Sequence, residues 1–125
     1  MARILIVDDS TVMRKNLRTI LTSSGHEVVA EACDGKQAFI LYTQYKPDLV
    51  TMDISMPNMS GVEAVGEIIK KDPAAKIIMI SALNQKQMVF EALKNGAKHY
   101  IVKPIDPTIL NGIVNSVLED KDLED

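Results

Sequence analysis

The sequence is poor in cysteine and in aromatic residues. It has one cysteine, Cys33, no tryptophan, and only 4% aromatic residues in a chain of 125. A single cysteine cannot form an internal disulfide, so the chain is not a disulfide-stabilised secreted scaffold. This usage is typical of a reducing cytoplasm, where we expect Cys33 to be a small packing residue.

Long apolar runs and an excess of positive charge are also missing. No apolar run approaches the ~18 residues of a membrane-spanning helix, and no secretory signal is present. The formal net charge is −3, which excludes the global basic field that attracts nucleic acid. We therefore expect a cytoplasmic protein with no membrane contact and no direct nucleic-acid contact.

Apolar residues make up 46% of the chain, enough for one sizeable core. Short apolar runs alternate with stretches of helical periodicity, which predicts strands and helices in turn. The predicted strands, each followed by a helix, are residues 3–7, 27–33, 49–52, 76–81 and 100–102. Ser60 and Glu63 predict a capping box on the third helix, and Asn84 is expected to cap the fourth. This alternation predicts an α/β fold, a parallel sheet with helices on both faces.

The last seven residues differ from the rest of the chain. Residues 119–125 hold five acids and one lysine. Acids oppose the dipole at a helix C-terminus and repel one another. We therefore expect one domain over residues 1–118 and an acidic, frayed tail over residues 119–125. Since no DNA-binding domain follows, output by protein contact is expected, unless the sequence is a fragment of a longer regulator.

Polar residues stand where four of the predicted strands end. Asp8 and Asp9 follow the first strand, Asp53 the third, and Lys103 the fifth, while Ser81 ends the fourth. In a parallel α/β sheet the carboxyl ends of the strands form one edge, where ligands bind. We therefore expect three acids, a hydroxyl and an amine to converge at this edge.

Three close carboxylates require a proton or a cation. Two such charges about 4 Å apart repel by roughly 4 kcal/mol at a near-surface effective dielectric, and repulsion raises carboxyl pKa values. A hard divalent cation relieves the repulsion better than a proton does. Because few protein oxygens are available as ligands, Mg²⁺ is favoured over Ca²⁺. A phosphoryl group beside the metal would satisfy Lys103 as well. An aspartate can carry that group covalently.

Four segments carry a family resemblance. They read ILIVDDS, DLVTMDISMPNMSG, IIMISA and HYIVKP. In this order and spacing they resemble bacterial two-component response-regulator receiver domains, most closely the stand-alone chemotaxis receivers of the CheY type. The resemblance covers nearly the whole chain. It implies a flavodoxin-like sheet of five parallel strands in the order 2-1-3-4-5, flanked by five helices, and a cis peptide bond at Lys103–Pro104.

The resemblance also implies a phosphorylation site that uses Mg²⁺ as its cofactor. Asp53 matches the phosphoacceptor, and Lys103 matches the lysine that binds the phosphoryl group. Asp9 matches the direct metal ligand and Asp8 its partner, which often acts through water. Asp53 would contribute to the same metal shell, and Ser55 would offer its backbone carbonyl.

A switch and a partner face are implied next. Ser81 matches the switch hydroxyl of the family, and Tyr100 the switch aromatic residue. The helix after the fourth strand carries more apolar residues than one buried face needs. We therefore expect Met88 or Val89 on the surface, where with Tyr100 they would form a face for a partner protein.

The function that follows is a single-domain response regulator. It would take a phosphoryl group from a histidine kinase onto Asp53 in a Mg²⁺-dependent reaction. It would then present a changed face to a downstream target, such as the flagellar motor switch in chemotaxis. Such a protein catalyses its own phosphorylation and dephosphorylation without being a metabolic enzyme, and we expect it to be a monomer.

Other interpretations exist for the individual residues and for the chain as a whole. Asp8 and Asp9 could be solvated turn acids, Ser81 a strand end, and Tyr100 a plain core residue. The chain could be the receiver part of another two-component regulator. An aspartyl-nucleophile phosphatase is less consistent with this sequence. Such enzymes typically carry a D-x-D motif on the first strand and enclose their substrate with a cap domain. A flavin carrier is disfavoured because acids stand where a phosphate cradle is needed.

Overall fold

The computed structural model describes residues 1–119, in which five strands alternate with five helices. The strands are β1 (Arg3–Val7), β2 (Glu27–Ala32), β3 (Leu49–Asp53), β4 (Ile77–Ser81) and β5 (His99–Val102). The helices are α1 (Thr11–Ser23), α2 (Gly35–Tyr45), α3 (Gly61–Lys71), α4 (Lys86–Lys94) and α5 (Pro107–Glu119). All five predicted strands are present, with ends within one residue of those expected.

The five strands form one parallel sheet in the order β2-β1-β3-β4-β5. The expected α/β class and strand order are therefore confirmed. The three inner strands read as near-continuous apolar runs because helices cover both faces of the sheet. The edge strand β2 carries Glu27 and Glu31 instead. The Lys103–Pro104 peptide bond is cis, as the family resemblance implied.

Two apolar clusters, one on each face, hold the sheet between the helices. Alternate residues of an inner strand point to opposite faces, so Ile4 and Ile6 belong to one cluster and Leu5 and Val7 to the other. The first cluster includes buried residues of α1 and α5, and the second includes buried residues of α2, α3 and α4. Burial on both faces holds the strand ends in fixed relative positions.

Side-chain caps start four of the helices. Ser10, Asp34 and Ser60 each accept the backbone N–H three residues later, at the starts of α1, α2 and α3. Ser60 and Glu63 form the predicted capping box. Asp106 accepts two N–H groups from the first turn of α5. Because each of these helices follows a strand, the caps lie in the loops at the carboxyl edge of the sheet and order them.

The start of α4 differs from the prediction. Asn84 does not cap this helix, because Gln85 takes the N-cap position and no side chain accepts a hydrogen bond there. The Gln85 Oε1 accepts the N–H of Ala82 at 2.7 Å instead. The Gln85 side chain therefore folds back to close the β4–α4 loop and leaves the first turn of α4 without a side-chain cap.

Expectations for Cys33 and for the tail had different outcomes. Cys33 is exposed, so its assignment as a packing residue was wrong; it lies in the loop between the edge strand β2 and α2, outside both apolar clusters. Helix α5 extends to Glu119, one residue past the expected end of the domain. The rest of the expected tail, residues 120–125, lies outside the described residues.

Across residues 1–119, no helix combines the length and the apolar character needed to cross a membrane.

Gly61 and Gly112 provide a matched pair of glycine substitutions. A Cβ at Gly61 would overlap the backbone carbonyl oxygen of Asp53, whereas a Cβ at Gly112, in α5, would meet open space. We expect Gly61→Ala to lower the free energy of unfolding by about 1–3 kcal/mol through overpacking. Gly112→Ala should raise it by up to about 1 kcal/mol, because alanine favours the helix. Urea unfolding of both variants checks this, and a Gly61→Ala protein as stable as wild type would contradict it.

Candidate functional site

The strand ends bring the expected polar residues to one edge of the sheet. Asp53 is the last residue of β3 and Ser81 the last of β4, while Asp8 directly follows β1 and Lys103 directly follows β5. One carboxylate oxygen from each of Asp8, Asp9 and Asp53 lies within 4.8 Å of the other two. The three acids therefore form one cluster, as expected for residues at the carboxyl ends of parallel strands.

Lys103 forms ion pairs with two of these carboxylates. Its Nζ lies 3.4 Å from Asp53 Oδ1 and 4.0 Å from Asp8 Oδ2. The carboxylates it approaches are deeply buried, since Asp53 is 5% exposed and Asp8 only 1%, whereas Asp9 is exposed. One ammonium group cannot balance three carboxylates, so the cluster keeps an excess of negative charge when all are ionised.

Burial and repulsion shift the pKa values of the buried acids. Desolvation, with the nearby Asp8 charge, raises the pKa of Asp53 from 3.8 to about 6, and Lys103 offsets only part of this. Desolvation also raises the pKa of Asp8, against the lowering effect of a hydrogen bond from the Ser10 backbone. The site therefore favours protons or a cation over bare carboxylates.

Asp8 is held by neighbours that the sequence analysis did not identify. Its Oδ1 accepts the N–H of Ser10 at 2.9 Å, and its carbonyl oxygen accepts a bond from Arg14 Nη1 at 2.6 Å. Glu31, on β2, accepts a bond from Arg14 Nε at 3.0 Å and pairs with Arg18 at 2.7 Å. Nothing in the sequence links α1 to β2 in this way. The contacts tie the Asp8 carbonyl to α1, and α1 in turn to the edge strand β2.

The β3–α3 loop, residues 54–60, closes over the end of β3. The Ile54 N–H bonds the Ile80 carbonyl at 3.1 Å, and the Gly61 N–H bonds the Ile54 carbonyl at 2.8 Å. Gly61 lies against the Asp53 carbonyl with no room for a Cβ, which explains the glycine that ends the segment DLVTMDISMPNMSG. Ser55 lies in this loop and is exposed. The loop thus keeps Ser55 close to Asp53, while the metal role of its carbonyl remains a prediction.

The cluster has the chemistry of a site for a hard divalent cation. Its donor atoms are carboxylate oxygens, which Mg²⁺ prefers. Asp8 Oδ2 is buried and has no hydrogen-bond partner among residues 1–119, although such groups are nearly always satisfied in folded proteins. This oxygen, which has only a distant ion pair with Lys103 at 4.0 Å and lies beside two other acids, fits a bound cation.

A cavity of about 420 Å³ lies beside Ser81, under α4 and β5. Ser81, which is buried, and Tyr100, which is 42% exposed, both line this cavity. The expectation that Met88 or Val89 is exposed fails for Val89, which is 5% exposed, because that side chain packs into the core. Phe90 is exposed instead, at 61%, and sequence periodicity had not distinguished the two.

The comparison with protein families shows which family the chain belongs to. A family model described as the response regulator receiver domain matches residues 4–115. The chain belongs to this family. Members of the receiver family are phosphoacceptor switches, and phosphorylation chemistry is general to them. Receiver domains use Mg²⁺ at an acidic pocket, which agrees with the clustered aspartates of this chain.

Similar receivers include chemotaxis proteins. The chain is 51% identical to the chemotaxis protein CheY of Thermotoga maritima over 115 residues, covering 92% of this chain and 96% of that protein. It is 49% identical to CheY of Bacillus subtilis over 116 residues, covering 93% and 97%. A CheX–CheY–BeF₃–Mg²⁺ complex from Borrelia burgdorferi matches with a TM-score of 0.88 at 43% identity, covering 92% and 87%. These likenesses favour a receiver over a phosphatase or a flavin carrier.

Because Asp53 is buried, we predict that it lowers the free energy of unfolding of this receiver in a pH-dependent way when no metal is bound. The folded-state pKa of about 6 exceeds the 3.8 of the unfolded chain, so between these values the folded state binds more protons. Stability therefore falls as pH rises through this window, and Asp53→Asn should remove that part of the fall. We expect the variant to be more stable by roughly 3 kcal/mol near neutral pH, with little difference below about pH 4.

Urea unfolding in the presence of a chelator, from acid to neutral pH, measures this difference. The chelator keeps divalent cations from masking the repulsion among the acids. Parallel stability curves for wild type and Asp53→Asn across the whole range would contradict the predicted cost.

Proposed function

We propose that this chain is a chemotaxis-type response regulator that accepts a phosphoryl group on Asp53 from a histidine kinase. One observation carries the proposal. The Asp53 carboxylate ends β3 within 3.4 Å of the Lys103 ammonium, and its oxygens cluster with those of Asp8 and Asp9. A nucleophile, a cation for phosphoryl oxygens and a donor set for a divalent ion thus meet in one place.

The transfer itself is a displacement at phosphorus. A carboxylate oxygen of Asp53 attacks the phosphorus of the kinase phosphohistidine, and the new P–O bond forms as the P–N bond breaks. The electron pair of the broken bond leaves with the histidine ring nitrogen. At neutral pH a carboxyl with a pKa of about 6 is mostly ionised, so Asp53 is available as the nucleophile.

The remaining site residues would hold the charges of the transferred group. Lys103 is placed to bind a phosphoryl oxygen once the group joins Asp53, because its ammonium already contacts that carboxylate. Asp8, Asp9, Asp53 and the Ser55 carbonyl would hold Mg²⁺. When bound, this ion supplies positive charge that stabilises the phosphoryl oxygens. Positioning and charge account for most of the catalysis expected in such a site.

We further propose that the site removes its own phosphoryl group slowly. Water would attack the phosphorus of the aspartyl phosphate, the P–O bond to Asp53 would break, and inorganic phosphate would leave. The carboxylate is then regenerated for a new cycle. The protein would thus be a self-catalysed switch with a limited lifetime in the active state, rather than a metabolic enzyme.

Ser81 and Tyr100 are proposed to relay the change to the surface. Ser81 ends β4, the strand beside β3, and its hydroxyl would donate to a phosphoryl oxygen on Asp53. Such a charge-assisted bond is worth roughly 1.5–3 kcal/mol, enough to shift a two-state equilibrium about ten- to a hundredfold. The cavity that Ser81 and Tyr100 both line offers room for the Tyr100 ring to turn inward, which would change the surface near Phe90.

The partners are proposed from the likeness to chemotaxis proteins. A histidine kinase would supply the phosphoryl group, and a downstream protein such as a flagellar motor switch would bind the changed face in the cytoplasm. The identities near 50% to CheY of Thermotoga maritima and Bacillus subtilis support this pathway. Leu83, Phe90, Tyr100 and Ile109 are large exposed apolar residues, and the first three of them line the cavity beside Ser81. Protein contact is therefore the expected output.

Phosphorylation of Asp53 can be tested directly. Incubation with a small phosphodonor and Mg²⁺, followed by intact mass measurement, should give one phosphoryl adduct on the wild-type protein. Asp53→Asn should give none, because the amide is not a nucleophile of comparable strength. Asp106→Asn, a change at another aspartate on the same edge of the sheet, should keep the adduct, and a chelator should prevent it. An adduct of wild-type yield on Asp53→Asn would reject the assignment.

The relay role of Ser81 gives a separate prediction. Ser81→Ala should still accept phosphate on Asp53, yet the amide NMR shifts of α4 and β5 should respond to beryllium fluoride far less than in wild type. Thr51→Val is the matched control, because Thr51 is also buried in the sheet and its hydroxyl has no partner among the described residues. The control should respond as wild type does. Equal responses in Ser81→Ala and wild type would mean that Ser81 is not the relay.

A further inference from the structure

Two loops at the carboxyl edge of the sheet are joined by hydrogen bonds that the phosphotransfer chemistry does not use. Asp34, at the start of α2, accepts a bond from Asn58 Nδ2 through its Oδ2 at 2.9 Å. The N–H of Gly35 bonds the carbonyl oxygen of Met59 at 3.1 Å. Asn58 and Met59 belong to the β3–α3 loop, which also contains Ser55. We propose that Asp34 and Asn58 are positioning residues that hold this loop, and with it the Ser55 carbonyl, in place for the metal ion.

The contact between the two loops is close and geometrically demanding. A Cβ at Gly35 would lie 2.5 Å from the Met59 carbonyl oxygen, so the start of α2 and the loop touch through their backbones. Asn58 has a φ of 67°, in the left-handed region that asparagine tolerates better than most residues. The loop thus adopts a disfavoured conformation at the residue whose side chain reaches Asp34.

Asp34 has two functions that can be separated. Its Oδ1 accepts the N–H of Gln37 and caps α2, while its Oδ2 accepts the bond from Asn58. These two hydrogen bonds lower the pKa of Asp34, so it remains a carboxylate that can accept both. One side chain therefore ties the position of a helix start to the position of the loop tip.

Ser55 lies between two anchored points of the loop. On one side, Ile54 is fixed by backbone bonds to Ile80 and Gly61. On the other side, Asn58 is fixed by Asp34. Without the Asp34–Asn58 bond, only the Gly35–Met59 backbone bond among the described residues still ties the far side of the loop to the start of α2, so the peptide that carries the Ser55 carbonyl is less restrained. Mg²⁺ demands near-ideal octahedral geometry, so a looser carbonyl would weaken metal binding even if the fold stayed intact.

The inference rests on the proposed function, because it assumes that Ser55 contributes its carbonyl to a metal site. It goes further by assigning a role to residues outside that site. Side chains that orient metal ligands typically change metal affinity by 10–100-fold when they are removed. The Asp34–Asn58 bond is exposed to solvent, so its loss should affect folding much less than metal affinity.

The variants isolate the bond from the other functions of the two residues. Asp34→Ser keeps a capping hydroxyl for α2 but is too short to reach Asn58. Asn58→Gly keeps the left-handed backbone but deletes the amide. Asp34→Asn restores the bridge, since Asn58 can turn to accept a bond from the new amide. Asp106→Ser is the control: Asp106 caps α5 at the same edge of the sheet, and within residues 1–119 its carboxylate bonds no other loop.

The measurement is a Mg²⁺ titration of the unphosphorylated protein, monitored through its amide NMR shifts. Urea unfolding in the presence of a chelator checks that the variants are folded. Asp34→Ser and Asn58→Gly should each raise the Mg²⁺ dissociation constant about tenfold. The double variant should be no weaker than either single variant, because both remove the same bond. Asp34→Asn and Asp106→Ser should bind Mg²⁺ within about twofold of wild type.

Three results would overturn the proposal. Wild-type affinity in both Asp34→Ser and Asn58→Gly would mean that the bond does not position the metal site. Losses that multiply in the double variant would mean that the two residues act independently. If wild-type protein itself binds no Mg²⁺, the proposed metal site fails and this inference fails with it, a result distinct from the first two.

Discussion

Burial of the Asp53 carboxylate beside Asp8, with one shared ammonium, is the interaction on which the rest of this structure depends. Neither acid can be ionised there without cost, because Asp53 is 5% and Asp8 1% exposed and Lys103 lies 3.4 Å from one and 4.0 Å from the other. The proposed reaction of Asp53 with a phosphoryl group would use this dry and electrostatically unbalanced environment. The same environment lowers the stability of the folded protein when no cation is bound.

The surrounding fold offsets that cost by fixing the strand ends from both faces. Apolar clusters on either side of the sheet bury the inner strands almost completely, so Asp8 and Asp53 cannot move apart without moving whole strands. Arg14 adds a second restraint, since it binds the Asp8 carbonyl and Glu31 at once. The repulsion is therefore kept in place, available to a cation or a phosphoryl group, instead of being relieved by a small shift.

Several features could be predicted from local pattern, and others could not. The strand ends, the capping box of Ser60 and Glu63 and the set of polar residues at the sheet edge follow from periodicity and spacing, because each depends on neighbours along the chain. Val89 and Phe90 show the limit: they are adjacent apolar residues, and only the docking angle of α4 decides that Val89 is buried and Phe90 exposed. Cys33 was misassigned for a similar reason, since the exposure of a loop at a sheet edge depends on what covers it.

By itself the sequence determined which chemical groups this receiver has and at which strand ends they stand. Hydrophobic burial selects the inner strands, and the alternation of elements forces a parallel sheet whose carboxyl ends meet. Only the tertiary structure decided the contacts between residues far apart in the chain, such as Arg14 with Glu31 and Asp34 with Asn58, and the raised pKa of Asp53. The physical reason is that hydrogen bonds and desolvation depend on distances of a few ångströms between separate elements. Those distances are set by the packing of helices on the sheet, which no local pattern encodes.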